Sequence, residues 1–338
     1  MIFYLFFLSV FIIILNKFLL KKSLLLSDTG DSHQKLASKL NVPLTGGIFI
    51  FLGFFYFLEN NIYSFIFSSF TILILGTFSD LKLIKSAGIR FLLQMLLVIF
   101  FIFFNDIQIT DTRIDILDKI LSNFIINYLF LCFCILIVIN GTNFIDGLNT
   151  LVIGYYLIIM IIIYFLNLNE SIILKEVSVV HILSLLIIVF ILNSLNKIYL
   201  GDAGSYLLGF SYAIFLIDIY NLNSKISPFF IILLLWYPCF ENLFSIIRKN
   251  VLSKSPMYPD RYHFHQLIFS FIKKRFNLKI FTANIFTAQL INFYNLIIFI
   301  IGSQFIYHTK TQILLIFINI FLYSIIYIKL SSFKDKLK

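Results

Sequence analysis

Long apolar runs separated by short polar loops dominate the chain. Stretches of about 17–25 apolar residues can cross hydrocarbon as helices, because a helix satisfies its own backbone polar groups there. About eleven such stretches are read, near 2–20, 44–58, 62–77, 89–104, 124–140, 150–167, 179–195, 204–220, 226–247, 281–303 and 312–329. The second and third are short and meet at Glu59-Asn60-Asn61. The extended polar interruptions are 21–43, 105–123 and 248–280, and no internal repeat is visible. The pattern predicts an all-α polytopic membrane protein, one integral membrane domain over 1–338. Met1 to Leu20 has neither a basic n-region nor a small-residue cleavage site, so it reads as a retained first helix.

Composition strengthens this reading. Hydrophobic residues make up 60% of the chain and charged residues 12%, with a mean hydropathy of +0.99. Soluble domains run at roughly half apolar and a quarter charged, so one water-facing core cannot hide the surplus. The net charge of +10 raises nucleic acid as a partner. The cations lie in short loops between apolar runs, however, so membrane topology explains them and no nucleic-acid partner is expected. Cys132, Cys134 and Cys239 lie inside apolar stretches and read as buried free thiols.

The cations also orient the chain. With the amino terminus outside and the carboxyl terminus cytoplasmic, the inner segments hold Lys17, Lys21, Lys22, Lys35, Lys39, Lys82, Lys85, Arg90, Lys197, the basic residues of 248–280 and those near the end. The outer segments hold Arg113, Lys119, Lys175, Lys225 and Lys310. The asymmetry is about four to one.

In that orientation the unusual polar sequences share the cytoplasmic face. They are Pro43-Leu44-Thr45-Gly46-Gly47, Ser79-Asp80, Asn140 to Asn149, Gly201-Asp202-Ala203-Gly204-Ser205, and Pro259 to Gln266. Asp80, Asp146 and Asp202 each sit at the inner end of an apolar run. A single such acid reads as a solvated helix end, but three with Gly or Asn around them suggest hard oxygen ligands for Mg²⁺ on a phosphate-handling surface. The small and amide residues of Asn140 to Asn149 can present N–H groups to a nucleotide, or form a helix cap and turn. Gly201 and Asp202 open a helix, whose amino terminus favours anions; a cation between Asp202 and a diphosphate reconciles the charges. Arg261, His263 and His265 suit phosphate contact; a solvated loop or an H-x-H zinc site is the other reading. Lys273, Lys274 and Arg275 read as resting on anionic headgroups. Glu241, inside an apolar run, is either a functional group or half of a structural ion pair.

N-x-x-N-F-x-D-G-L, G-D-x-G-S and P-D-R-x-H-x-H, in this order over roughly residues 28–266, resemble the polyprenyl-phosphate N-acetylhexosamine-1-phosphate transferase family. That family includes the enzymes that start O-antigen and teichoic acid lipid carriers and is related to phospho-N-acetylmuramoyl-pentapeptide transferase. The resemblance implies a bacterial inner-membrane enzyme. It would move a sugar 1-phosphate from a UDP-sugar to undecaprenyl phosphate and release UMP, as the first membrane step of cell-envelope polysaccharide synthesis. Mg²⁺, with Mn²⁺ as a substitute, is the implied cofactor. Asp202 matches the metal-binding aspartate, and Asp80 the second residue of the family's Asp-Asp pair, in the metal and polyprenyl-phosphate region. Asn143, Asp146 and Gly147 match positions lining the nucleotide-sugar site, and Tyr199 an aromatic that can stack on uracil. His263 and His265 match loop histidines near the diphosphate, with Arg261 beside them, and Pro43, Gly46 and Gly47 match the turn into the second helix. The family also suggests a homodimer.

The chain departs from that pattern at three positions. Ser79 replaces the first Asp of the pair, Asn149 a second aspartate, and Gln266 a further histidine. A phosphate nucleophile is already anionic, so Ser79 removes no group that the chemistry requires. A lipid or solute transporter would be polytopic too, but would carry polar groups on broken helices at mid-membrane. A membrane scaffold would need no clustered Asp, His and Gly.

Overall fold

Hydrocarbon leaves a chain no water for its backbone, so helix is the form these runs adopt. The computed structural model describes residues 2–27, 41–57, 63–168, 178–253 and 260–335. The sequence features Lys35, Lys39, Glu59-Asn60-Asn61, Lys175 and Pro259 lie outside the described residues. The helices are α1 (Ile2–Lys22), α2 (Gly46–Phe57), α3 (Tyr63–Asp80), α4 (Ala87–Phe104), α5 (Asp115–Leu121), α6 (Phe124–Ile145) and α7 (Leu151–Phe165). They continue as α8 (Val179–Ser194), α9 (Gly201–Leu222), α10 (Pro228–Leu234), α11 (Trp236–Val251), α12 (Phe264–Arg275), α13 (Ile280–Gln304) and α14 (Thr309–Asp335). Among the described residues the one β-type pairing is an isolated bridge between Leu26 and Pro43.

Each of the eleven predicted stretches contains a helix, but they do not all cross alike. Among the described residues seven helices are long and apolar enough to cross a membrane, or eight if the bent pair α10–α11 is one span. α2, α7 and α8 are described over 12, 15 and 16 residues, which at about 1.5 Å per residue fall short of a ~30 Å core. The predicted 226–247 helix is broken at Leu235, where its halves meet at 74°. Pro238 has no N–H to return to Leu234, and the freed Leu234 carbonyl accepts instead from the Tyr155 hydroxyl at 2.7 Å. The polar segments 105–123 and 248–280 also carry helices, α5 and α12.

α9 is the hub. Most of its residues are buried, whereas few in α1, α4 and α14 are, and it packs against α2, α3 and α6. Aromatic rings fill the membrane-depth core: Phe210 lies 6.1 Å from Phe65 and 5.2 Å from Phe101, and Phe54 lies 6.1 Å from Phe215. Toward its amino terminus small residues replace the rings. A Cβ on Gly76 would stand 2.3 Å from Ala203 Cα, so α3 crosses α9 almost backbone to backbone.

The two ends of the bundle differ in chemistry. At the end that holds the carboxyl terminus of α9, the Arg113 guanidinium donates to the carbonyls of Lys225 (2.7 Å), Ile226 (3.0 Å) and Tyr307 (3.1 Å) and to Thr309 Oγ1 (2.8 Å). The acids there close local turns: Asp118 accepts from Thr112 N at 2.7 Å and Asp111 from Arg113 N at 2.7 Å. The unusual motifs lie at the other end, around the amino terminus of α9.

Candidate active site

Three helix ends carry charge of the sign their dipole disfavours. Asp80 is the last residue of α3, Asp146 caps the carboxyl end of α6, and Arg90 stands in the first turn of α4. Asp80 and Arg90 are compensated from a neighbouring helix. Asp80 accepts from the backbone N–H of Asp202 at 2.8 Å and of Ala203 at 3.1 Å, so it caps α9. The approach requires glycine at 201. That residue has φ +66°, and a Cβ there would lie 2.6 Å from Asp80 Oδ2.

The cap fixes Asp202 at the centre of a hydrogen-bonded knot. Its Oδ2 accepts from Arg90 Nη1 at 2.8 Å and from the Ser79 hydroxyl, which Arg90 also contacts. Its Oδ1 accepts from Asn143 Nδ2 at 2.7 Å, and the same amide reaches Ser205 Oγ at 3.0 Å. α3, α4, α6 and α9 therefore meet at one carboxylate. Ser79 bridges where a second acid would face Asp202. Asp146 is partly exposed at the knot's edge. The protein around it and, secondly, the charge of Asp202 push its carboxyl up to about 8.

The loop histidines arrive from another direction. Asp260 is tied to Arg248 Nη1 at 2.6 Å; burial raises its carboxyl, but Arg248, His263 and the Tyr262 N–H together outweigh that and hold it low. The Tyr262 carbonyl accepts from Tyr327 Oη at 2.9 Å, and that of Arg261 from Lys334 Nζ. His263 contacts Glu241 at 2.9 Å and its ring lies 5.3 Å from Phe144, inside the Asn140 to Asn149 motif. His265 is fully buried, with both ring nitrogens lacking hydrogen-bond partners among the described residues. Burial, then His263, pushes it well below the usual histidine range. It abuts Gly147 so closely that a Cβ there would stand 2.3 Å from Nε2.

The sequence-predicted residues thus fall into a knot (Asp80, Asn143, Asp146, Asp202) and a loop (His263, His265) that meets it at Phe144 and Gly147. Arg261 is exposed at the loop's rim. Tyr199 is set aside from the knot: its backbone pairs with Pro43 and Gly46 at 2.9 Å each, and its hydroxyl donates to Asn196 Oδ1 at 2.7 Å. Arg90, read from sequence only as a loop cation, is the missed member. A cation in a helix's first turn was the available signal.

Comparison with known proteins accords with this geometry. Residues 62–220 match the model of glycosyl transferase family 4. Similar relatives include the probable undecaprenyl-phosphate N-acetylglucosaminyl 1-phosphate transferase of Bacillus subtilis (strain 168), 29% identical over 255 residues, 71% of this chain and 69% of that protein. Another is the undecaprenyl-phosphate alpha-N-acetylglucosaminyl 1-phosphate transferase of Thermotoga maritima, 27% identical over 242 residues, 71% of this chain and 70% of that protein. The family match spans the knot and stops short of the histidine loop. This chain is a multi-pass bacterial membrane protein and a sugar-phosphate transferase.

Within this transferase Asn149 is structural. Its Nδ2 donates to Asn196 Oδ1 at 2.7 Å and to the Asn193 carbonyl at 3.2 Å, and its N–H donates to Asn284 Oδ1 at 2.9 Å. Asn149→Asp removes two donations from a buried site, so it is expected to destabilise the protein by about 1–3 kcal/mol without raising activity. Thermal unfolding in detergent checks this, and an equally stable, faster variant contradicts it.

Proposed function

We propose that this chain transfers N-acetylhexosamine 1-phosphate from a UDP-sugar to undecaprenyl phosphate at the cytoplasmic face and releases UMP. The observation that carries the reading is the Asp202 knot. Three mutually interacting carboxylates, Asp80, Asp146 and Asp202, share it with the Arg90 guanidinium.

That donor set fits a divalent cation. Each Asp80 oxygen and Asp202 Oδ1 accepts one hydrogen bond and keeps a second acceptor site, so Asp202, Asp80 and Asp146 would be the oxygen donors. Mg²⁺ there supplies charge neutralisation for a diphosphate. The chain's own groups do the rest. Asn143 and Ser205 orient Asp202, and Arg90 offers a guanidinium to a phosphate oxygen. His263 and His265 sit where the loop meets Gly147; the partnerless nitrogens of His265 suit a substrate hydroxyl or phosphate. The lipid phosphate oxygen attacks the β-phosphorus and the bond to the UMP oxygen breaks, a displacement governed by positioning and charge.

The cation asymmetry supports an amino terminus outside and a carboxyl terminus inside, an orientation in which the knot is within reach of cytoplasmic UDP-sugars. The test is incorporation of labelled N-acetylglucosamine from the UDP-sugar into organic-extractable lipid by purified protein. EDTA is expected to stop it, and Mg²⁺, with Mn²⁺ as a substitute, to restore it. Undiminished lipid product in EDTA removes the cation from the reading; solute flux without lipid product removes the transferase activity.

A further inference from the structure

We infer that Glu241 is a positioning residue that fixes the tautomer and direction of His263. The inference rests on the transferase reading for its kinetic consequence and on geometry alone for the tautomer. Glu241 is 1% exposed, on α11 just past the break, a costly place for a carboxylate without donors. It has three. His263 Nδ1 lies 2.9 Å and Phe264 N 3.3 Å from Oε1, and the Tyr323 hydroxyl, from α14, donates to Oε2 at 2.7 Å.

The arrangement determines where the imidazole proton sits. Backbone N–H can only donate, so Oε1 is an acceptor, and Nδ1 takes the donor role beside it. The opposite edge of the ring, with Nε2, then faces Asp260, whose Oδ1 is 3.7 Å away, beyond hydrogen-bond reach. Asp260 is itself held by Arg248. Nε2 is thus the edge left for substrate, on a ring packed against Phe144 of the nucleotide-sugar motif. Tyr323 keeps the carboxylate from rotating, its own ring stacked on Phe264 at 4.3 Å.

Ring-¹⁵N-histidine spectra of the full-length protein, with His263→Asn for assignment, test the tautomer. The expected result is a protonated Nδ1 at His263 in the wild type. A bare Nδ1 with the proton on Nε2 overturns the inference, whatever the enzyme's activity. Kinetics with UDP-N-acetylglucosamine and undecaprenyl phosphate test the consequence. Glu241→Gln is expected to lower kcat about tenfold, with the UDP-sugar KM within about twofold, as for lost orientation. In a His263→Ala background it is expected to add no further loss. The same factor in both backgrounds would assign Glu241 a merely structural role. A wild type that makes no lipid product sinks the transferase reading and leaves the spectra to decide the tautomer.

Discussion

Asp202→Asn is expected to lower UMP release by at least about 10²–10³-fold, the scale seen when one preorganised electrostatic group is removed from an active site. The geometry explains why the nearest isostere fails. Oδ2 receives Arg90 and Ser79, and Oδ1 receives Asn143. An amide has one oxygen and one NH₂, so either orientation turns a donor toward a donor and strands it. Charge is lost as well, from the carboxylate that balances Arg90. Helix insertion is unaffected, since the apolar runs do not change. Quantifying UMP from purified variant and wild type at saturating Mg²⁺ decides the matter, and unchanged turnover removes Asp202 from the mechanism.

Gly76→Val is expected to have the largest effect on the fold. The new Cβ would meet Ala203 Cα at 2.3 Å and Ala203 N at 2.6 Å. These are backbone atoms of the hub helix and cannot swing aside as a side chain can. Overpacking of this kind costs about 1–3 kcal/mol or more, and each kcal/mol lowers the melting point of a large domain by about 2–4 °C. Activity falls too, because Ser79 and Asp80 ride on α3 one turn further on. Melting in detergent and turnover are measured together. A variant that melts and works like the wild type refutes the close crossing.

Much of this was legible in the chain, and the rest was hidden for identifiable reasons. Apolar runs announce helices because the bilayer admits little else, and the motif spacing brought Asp80, Asn143, Asp146 and Asp202 to one end of the bundle. Run length marked the second stretch as short but over-read α7, since Leu166 and Asn167 extend the run without extending the helix. Pro238 signalled the break at Leu235, but its Tyr155 remedy is contributed from 79 residues away. Asp80 reads as a ligand from its sequence setting, which gave no sign that its oxygens also cap α9. Arg90, the Asn149 network and the Glu241 clamp depend on partners from distant helices, and those pairings exist only once the bundle forms.

The supports of the 260–266 turn have a further consequence. Arg248, Glu241, Tyr323, Tyr327 and Lys334 all come from α11 and α14, downstream of the stretch that carries the knot. A chimera joining residues 1–225 to the matching carboxyl-terminal stretch of a relative would therefore transplant the turn together with its own scaffolding. What the host must offer at the seam is modest: a flat ring at Phe144 and a residue at Gly147 small enough to admit an imidazole.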